Sequence, residues 1–106
     1  MTTKDITKMV EDAKKVLGIE KDIKVEVKPM KCKIASYSFK TNTLRISRKA
    51  VERLDANLLF YIIFHELIHL KVGSIYHGKK FKDIMEKYYS KDESKIIETK
   101  IIQALL

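Results

Sequence analysis

The chain has 106 residues, of which 45% are hydrophobic and 34% are charged, and its formal net charge is +8. This composition excludes an intrinsically disordered chain, and the length allows one modest core, so we expect a single domain over residues 1–106. The positive charge comes mainly from dispersed lysines rather than clustered arginines with interleaved aromatic residues, which does not favour nucleic acid as a partner.

Hydrophobic periodicity predicts one helix and two strands in the first part of the chain. Apolar residues recur at helical spacing over residues 4–17, and Gly18 is suited to end that helix. Alternating apolar and charged residues predict a strand from Ile23 to Val27, which Pro29 ends. A second strand is predicted over Cys32–Phe39.

The middle of the chain predicts a hairpin and a long apolar helix. A polar turn precedes a third strand, Thr43–Ser47, which should pair antiparallel with the second strand. A short helix is predicted over residues 48–54, and Asp55 is well placed to cap the long helix that follows. Gly73 should end that helix.

Two further helices are predicted near the C-terminus. One begins near Gly78 and runs to about Tyr89, and the other begins at a capping box formed by Ser90 and Glu93. The fold class is therefore α+β, with a small three-stranded sheet packed on the long apolar helix, an N-terminal helix and two C-terminal helices.

Sequence features also bear on the cellular location. The longest apolar run, Leu58 to Phe64, is too short to span a membrane, and residues 1–5 lack the apolar core of a signal peptide. We therefore expect a cytoplasmic protein with no membrane partner.

The single cysteine, Cys32, cannot form an internal disulfide and is expected to be a small buried side chain. Abundant lysine, isoleucine and glutamate with few amides are typical of proteins from thermophiles.

The long apolar helix carries the sequence His-Glu-Leu-Ile-His at positions 65–69. Residues four apart lie on one helix face, so His65 and His69 can bind a single zinc ion. Glu66 lies beside them, where its carboxylate can take a proton from an attacking water molecule and pass it to the leaving amine. The motif predicts zinc as the cofactor and Glu66 as the catalytic residue of a peptidase.

Two purely structural roles for the histidines are less favoured than a catalytic one. A hydrogen-bonded pair of core histidines would not require all three histidines of the chain to fall between positions 65 and 77. A structural zinc site usually has four protein ligands, often thiolates, whereas three ligands leave a position for water. The clustering therefore favours a catalytic metal site.

Several residues are candidates for the third metal ligand. His77 shares its helix face with an apolar stripe that begins at Phe81, so it should face inward. Glu86 lies on the opposite, charged face. Glu93 starts the last helix on its apolar side and is the second candidate, whereas Glu98 is interpreted as a solvent-facing charge. The pattern favours His77.

Peptide hydrolysis also needs a donor aimed at the negative charge that develops on the substrate carbonyl. Arg45 and Ser47 on the third strand, and Tyr76 beside the loop, are the candidates, although such side chains are more often simply on the surface. Tyr88 and Tyr89 are interpreted as packing residues.

The motif on an apolar helix, preceded by a small sheet and followed by two helices, resembles the zincin metallopeptidases. Among them the chain is most similar to the minigluzincins, stand-alone archaeal peptidases of about this size. The resemblance implies zinc ligation by His65 and His69 and catalysis by Glu66 on peptide or unfolded-protein substrates. It also implies a latent form, with residues 1–5 or the C-terminal segment in the cleft, or with a concentration-dependent homo-oligomer.

A second resemblance concerns the segment after the motif helix. His77-Gly78-Lys79-Lys80-Phe81 is similar to the H-G-x-x-F segment of SprT-like proteases, some of which act on DNA-bound protein, and this supports His77 as a ligand. The usual gluzincins instead take a glutamate as their third ligand. An open edge strand, here Thr43–Ser47, would bind an extended substrate or a chain terminus by strand addition.

Three functions are compatible with these residues. The leading hypothesis is a zinc-dependent peptidase. The second is a catalytically silent regulatory domain that retains the metal. The third is a SprT-like protease that acts on protein bound to nucleic acid.

Overall fold

The computed structural model describes residues 2–31, 33–74 and 76–106. Within these ranges the chain forms five α-helices and a three-stranded sheet, so the predicted α+β class is confirmed. No helix in the described ranges is long and apolar enough to cross a membrane. The prediction that Cys32 is buried falls outside the described residues.

The elements follow the predicted order. In chain order they are α1 (Thr3–Leu17), β1 (Lys24–Lys28), β2 (Ala35–Ser38), β3 (Thr43–Ser47), α2 (Arg48–Arg53), α3 (Ala56–Val72), α4 (Lys79–Tyr88) and α5 (Lys91–Leu105). Strand β2 is shorter than the predicted Cys32–Phe39. Each of the predicted helices is present.

Capping boxes begin the first and last helices. Thr2 and Asp5 cap α1, and Ser90 and Glu93 cap α5, in each case with the side chain of one residue bonded to the backbone of the other. The carboxylate of Glu93 accepts a hydrogen bond from the Ser90 N–H at 3.2 Å. Glu93 is therefore engaged in holding the start of α5.

Local sequence also sets the bounds of α3, the helix that carries the histidine motif. The Asp55 carboxylate accepts a hydrogen bond from the Leu58 N–H at 2.9 Å and satisfies a donor at the helix start. Gly73 ends the helix with φ of 71°, in the left-handed region that glycine adopts without steric cost. Both ends of α3 are thus specified by residues next to them in the chain.

Strand β3 lies at the centre of the sheet. It pairs parallel with β1 and antiparallel with β2, which confirms the predicted hairpin. The prediction that Thr43–Ser47 is an open edge strand is wrong. Leu44 and Ile46 are fully buried, whereas β1 and β2 are only partly buried, so the most apolar strand takes the position in which both backbone edges are paired. The edges of the sheet are β1 and β2.

Helix α3 lies at the centre of the hydrophobic core, in contact with α1, β2, α4 and α5. Its buried apolar residues are Leu59, Tyr61, Ile62, Ile63, Phe64, Leu67 and Ile68. A helix that is apolar on every side is stable only when neighbours cover every side. Its few polar side chains must therefore lie where those neighbours leave a cleft.

Two matched substitutions test this arrangement. Ile63 is fully buried in α3, whereas Ile96 on α5 is 57% exposed. We expect Ile63→Ala to lower the free energy of unfolding by about 2–5 kcal/mol, because it leaves a cavity in the core. Ile96→Ala should change it by less than about 0.5 kcal/mol. Denaturant unfolding followed by circular dichroism measures both, and equal effects would contradict a core centred on α3.

Candidate metal centre

Helix α3 places His65 and His69 one turn apart on the same face, with their ring centroids separated by 5.2 Å. His69 is buried and His65 is partly buried. Both rings face α4 rather than the sheet, because each contacts the ring of Phe81, at 4.9 Å and 4.6 Å between centroids. The pair therefore lies at the boundary between α3 and α4.

His77 joins this pair from the segment that precedes α4. Its ring centroid lies 4.8 Å from those of both His65 and His69, and its Nε2 is 3.0 Å from the Nε2 of His69. One ligand nitrogen from each of the three histidines lies within 4.8 Å of the others. The structure thus brings together the three histidines named from the sequence.

A backbone contact orients His69 within the cluster. Its Nδ1 lies 2.9 Å from the carbonyl oxygen of Ser74, just beyond the end of α3. Because a carbonyl can only accept, Nδ1 is the donor in this contact, and Nε2 is the nitrogen that faces His77. Metal-binding imidazoles are usually fixed in this way, by a hydrogen bond on the nitrogen that does not bind the metal.

Phe81 holds His77 from the other side. The two rings are stacked, with centroids 4.4 Å apart and planes inclined by 11°. Phe81 is buried, as is Met85 one turn further along α4, so the apolar stripe that the sequence places below His77 does face inward. The cluster therefore has an apolar wall that limits the positions of all three imidazoles.

Desolvation lowers the pKa of two of these imidazoles, partly buried His65 and exposed His77. Burial, together with the neighbouring His77 and His69, lowers the pKa of His65 to about 4. Burial also lowers the pKa of His77, with a further lowering from His69 and an opposing effect of Glu98. His65 and His77 are therefore neutral near neutral pH, with lone pairs available to a metal ion.

Glu66 lies next to the cluster and is partly buried. Burial raises the pKa of Glu66 to about 7, and the positive charge of Lys33 opposes that rise. Glu66 and His65 both line a cavity of about 390 Å³. A carboxyl group with a pKa near neutrality can both accept and release a proton during a reaction.

The donor set fits a zinc ion. Three imidazoles with mutually close nitrogens match the protein ligands of catalytic zinc sites, which reserve a further position for water or substrate. The 3.0 Å between the Nε2 atoms of His69 and His77 is near the spacing of ligand atoms around a tetrahedral ion. The adjoining cavity has room for a substrate on the side of Glu66.

Comparison with known proteins identifies the family. A family model described as the YgjP-like metallopeptidase domain matches residues 2–97. The chain belongs to this metallopeptidase family. The resemblance to metallopeptidases that was inferred from the sequence is therefore confirmed.

Relatives and solved structures agree with that assignment. The chain is 52% identical over 103 residues to the uncharacterised protein MJ0123 of Methanocaldococcus jannaschii, covering 97% of this chain and 94% of that protein. It superposes on the metallopeptidase zymogen jannalysin of the same organism with a TM-score of 0.88 and 51% identity, covering 95% and 97% of the two chains. The metallopeptidase zymogen abylysin of Pyrococcus abyssi gives a TM-score of 0.85 and 35% identity, covering 92% of each chain.

Glu86 and Glu93, the glutamates considered as third ligands, do not belong to the cluster of three histidines. Glu86 is exposed on α4 and forms an ion pair with Lys91 at 3.8 Å. Glu93 is held in the capping box of α5. Neither belongs to the described group of residues whose ligand atoms could share one ion.

Glu98 has a closer relation to the cleft than its interpretation as a solvent-facing charge implied. Its side chain is exposed, but its carboxylate accepts a hydrogen bond from the Tyr61 hydroxyl at 3.1 Å. Burial raises the pKa of Tyr61 to about 12, with an opposing effect of the Ser94 side chain and a contribution from Glu98 in the same direction as burial. A sequence signal for Tyr61 exists, because it precedes His65 by four residues and so shares its helix face.

Two cavities meet at His65. The one beside Glu66 has a volume of about 390 Å³ and reaches Ala35 at the start of β2. The other has a volume of about 330 Å³ and lies against α4, where its apolar lining includes Phe81, Met85 and Tyr89. Tyr61 and Glu98 line both cavities and therefore lie between them.

The oxyanion candidates chosen from the sequence lie elsewhere. Arg45 forms an ion pair with Glu26 at 3.7 Å, and the Ser47 hydroxyl accepts a hydrogen bond from the Ala50 N–H at the start of α2. Tyr76 is 75% exposed. None of the three is among the described residues that line the two cavities. Arg45 and Ser47 belong to β3, the central strand, which contributes no residue to either lining.

Proposed function

We propose that this chain is a zinc-dependent peptidase in which His65, His69 and His77 bind the metal and Glu66 is the general base. The family assignment supports metallopeptidase activity on peptide substrates. The observation that carries the finer proposal is the cluster of three histidines beside a partly buried carboxylate and a cavity. No other group of the described residues offers this combination of ligands and base.

The chemistry follows from the positions of these side chains. A zinc ion held by the three imidazoles would polarise the substrate carbonyl and activate a water molecule. Glu66 accepts a proton from that water as its oxygen adds to the carbonyl carbon. When the C–N bond breaks, Glu66 delivers the proton to the leaving nitrogen, and its raised pKa suits both transfers.

The substrate in this proposal is an extended peptide or an unfolded protein segment. Strand β2 is an edge of the sheet, and its first residue lines the cavity beside Glu66. A free strand edge can pair with an extended chain through backbone hydrogen bonds. Strand β2 therefore takes the role that the sequence had suggested for β3.

Two glutamine substitutions test the role of Glu66. We expect Glu66→Gln to lower kcat by at least about 100-fold, because the amide cannot accept the proton. Zinc content should remain one ion per chain. Glu52→Gln, at an exposed glutamate of α2 that lines neither cavity, should change neither quantity. Mass spectrometry of a mixed peptide pool measures cleavage, and elemental analysis measures zinc.

Three contrary results of that experiment have definite meanings. Cleavage that survives in Glu66→Gln would remove Glu66 from the mechanism. A wild-type chain that binds zinc but cleaves no peptide would favour the catalytically silent regulatory domain. Cleavage stimulated by DNA, together with salt-sensitive DNA binding, would favour the SprT-like alternative.

A second pair of substitutions tests the third ligand. His77→Ala should weaken zinc binding by on the order of 100-fold or more, because it removes one of three protein ligands. Glu93→Gln should leave the affinity unchanged and preserve a side-chain oxygen for the helix cap. Competition with a chromogenic chelator measures the affinity. Normal affinity in His77→Ala with weak binding in Glu93→Gln would reverse the assignment.

We further infer that α5 keeps the enzyme latent by covering the cleft. Glu98, Ile101 and Ile102 of this helix line the cavity beside Glu66, and Ile101 also anchors α5 in the core. Jannalysin and abylysin, to which the chain is similar, are described as zymogens. Because a substrate beside Glu66 would need the space that Ile102 occupies, displacement of the C-terminal turn of α5 would precede catalysis.

The N-terminal alternative has less support. Residues 2–5 form the start of α1 and its capping box, and they are absent from the described linings of the two cavities. Helix α1 packs instead on α3 and β1. The C-terminal segment is therefore the better candidate for the latent form.

Substitution at Ile102 tests this latency. Ile102 lines the cavity and is 58% exposed, whereas Ile96, on the same helix, is 57% exposed and is absent from both linings. We expect Ile102→Asp to raise specific activity several-fold by loosening the end of α5, and Ile96→Asp to leave it unchanged. Equal activity in both variants would contradict the role of α5. A rise in wild-type specific activity on dilution would indicate latency by self-association instead.

A further inference from the structure

Tyr61 occupies a position between the metal centre and α5. It lies one helical turn before His65, with ring centroids 6.4 Å apart, and only 4% of its surface is exposed. Its hydroxyl donates to the carboxylate of Glu98 at 3.1 Å. An edge-on contact with Tyr89, with centroids 5.0 Å apart, fixes the plane of the ring. The hydroxyl is therefore a donor held in one place.

Hydrolysis of a peptide creates a need for such a donor. When the water oxygen adds to the carbonyl carbon, an electron pair moves onto the carbonyl oxygen and its negative charge grows. Donors that are already in position stabilise that charge most effectively, because they need no reorganisation during the reaction. A bound zinc ion would polarise the same carbonyl, but the three histidine ligands and the base Glu66 supply no hydrogen-bond donor to its oxygen.

Few side chains near His65 could fill the role. Lys33 lines the cavity beside Glu66, but it is exposed and does not line the second cavity. The lysines of the second cavity are exposed at its rim. Tyr61 is buried, adjoins His65 and lines both cavities, so a substrate passing His65 from one cavity to the other would meet its hydroxyl.

We propose that Tyr61 is a catalytic residue whose hydroxyl donates to the substrate carbonyl oxygen as negative charge develops there, and that Glu98 accepts this hydrogen bond when no substrate is bound. This role rests on the proposed peptidase function. A phenol has one proton to donate, so the substrate oxygen and Glu98 compete for it. Glu98 is exposed, and water can solvate its carboxylate after release.

This competition favours the transition state over the bound substrate. An ionised carboxylate is a stronger acceptor than a neutral carbonyl, so Tyr61 remains with Glu98 while the substrate is intact. As the substrate oxygen becomes negative, it becomes a comparable acceptor and the hydrogen bond can transfer. An interaction made mainly in the transition state raises kcat rather than lowering KM.

A purely structural role for Tyr61 makes a different prediction. If the hydrogen bond only fastened α5 over the cleft, loss of either partner would loosen the helix and raise activity. If Tyr61 donates to the substrate, the two losses act in opposite directions. Glu98→Ala frees the hydroxyl and raises activity, whereas Tyr61→Phe removes it and lowers activity.

The experiment compares Tyr61→Phe, Glu98→Ala and a control, Tyr88→Phe, in the full-length zinc-loaded chain. Tyr88 is 45% exposed, and its hydroxyl contacts the Val16 carbonyl oxygen at 3.5 Å, remote from Glu98. We expect Tyr61→Phe to lower kcat by about 100-fold with little change in KM and none in zinc content. Glu98→Ala should raise kcat several-fold, and Tyr88→Phe should leave it unchanged.

Inhibitor binding provides a readout that does not depend on turnover. A peptide phosphonate carries negative oxygens in the tetrahedral arrangement of the transition state. Its affinity should fall in Tyr61→Phe by the same factor as kcat/KM. The affinity for an uncleaved peptide, measured by calorimetry in a Glu66→Gln background, should not change.

The possible failures separate the two proposals. Unchanged or increased kcat in Tyr61→Phe, or equal loss of affinity for phosphonate and peptide, would overturn the role of Tyr61 and leave the peptidase assignment intact. Absence of cleavage by both the wild-type chain and Glu98→Ala would instead contradict the peptidase function, and the role of Tyr61 would fall with it.

Discussion

Burial of the middle of α3, from Leu59 to His69, is the constraint on which the rest of this structure depends. The helix is apolar on every side and is covered by α1, β2, α4 and α5. Polar groups on such a helix are costly unless they find partners. The motif histidines therefore lie where α3 meets α4, and they are partnered by His77, by the Ser74 carbonyl and by the face of Phe81. The same packing that stabilises the fold assembles the candidate metal centre.

Burial shifts the pKa values of His65 and Glu66 in opposite directions. It disfavours the charged form of each group, so the pKa of His65 falls to about 4 while that of Glu66 rises to about 7. Neutral imidazoles are ready to bind a cation, and a carboxyl group near its midpoint is ready to transfer a proton. One physical cause thus prepares both parts of the proposed mechanism.

Helix α5 links the stability of the fold to access to the site. Ile101 is buried in the core, while Glu98 and Ile102 line the cavity beside Glu66. In our proposal the helix is both part of the packed domain and an obstacle to substrate. Tyr61 connects the helix to the reaction, because its hydroxyl donates either to Glu98 of α5 or to the substrate carbonyl oxygen.

The sequence alone determined the helices, their caps and the inward side of α4, because spacing within a few residues encodes these features: Asp55 and Gly73 bound α3, and His77 shares a face with Phe81. It did not determine that β3 is central or that Glu98 reaches Tyr61. Strand order depends on how separate elements pack against one another, and so does the contact between Tyr61 and Glu98, which are 37 positions apart. Local sequence patterns do not specify that packing.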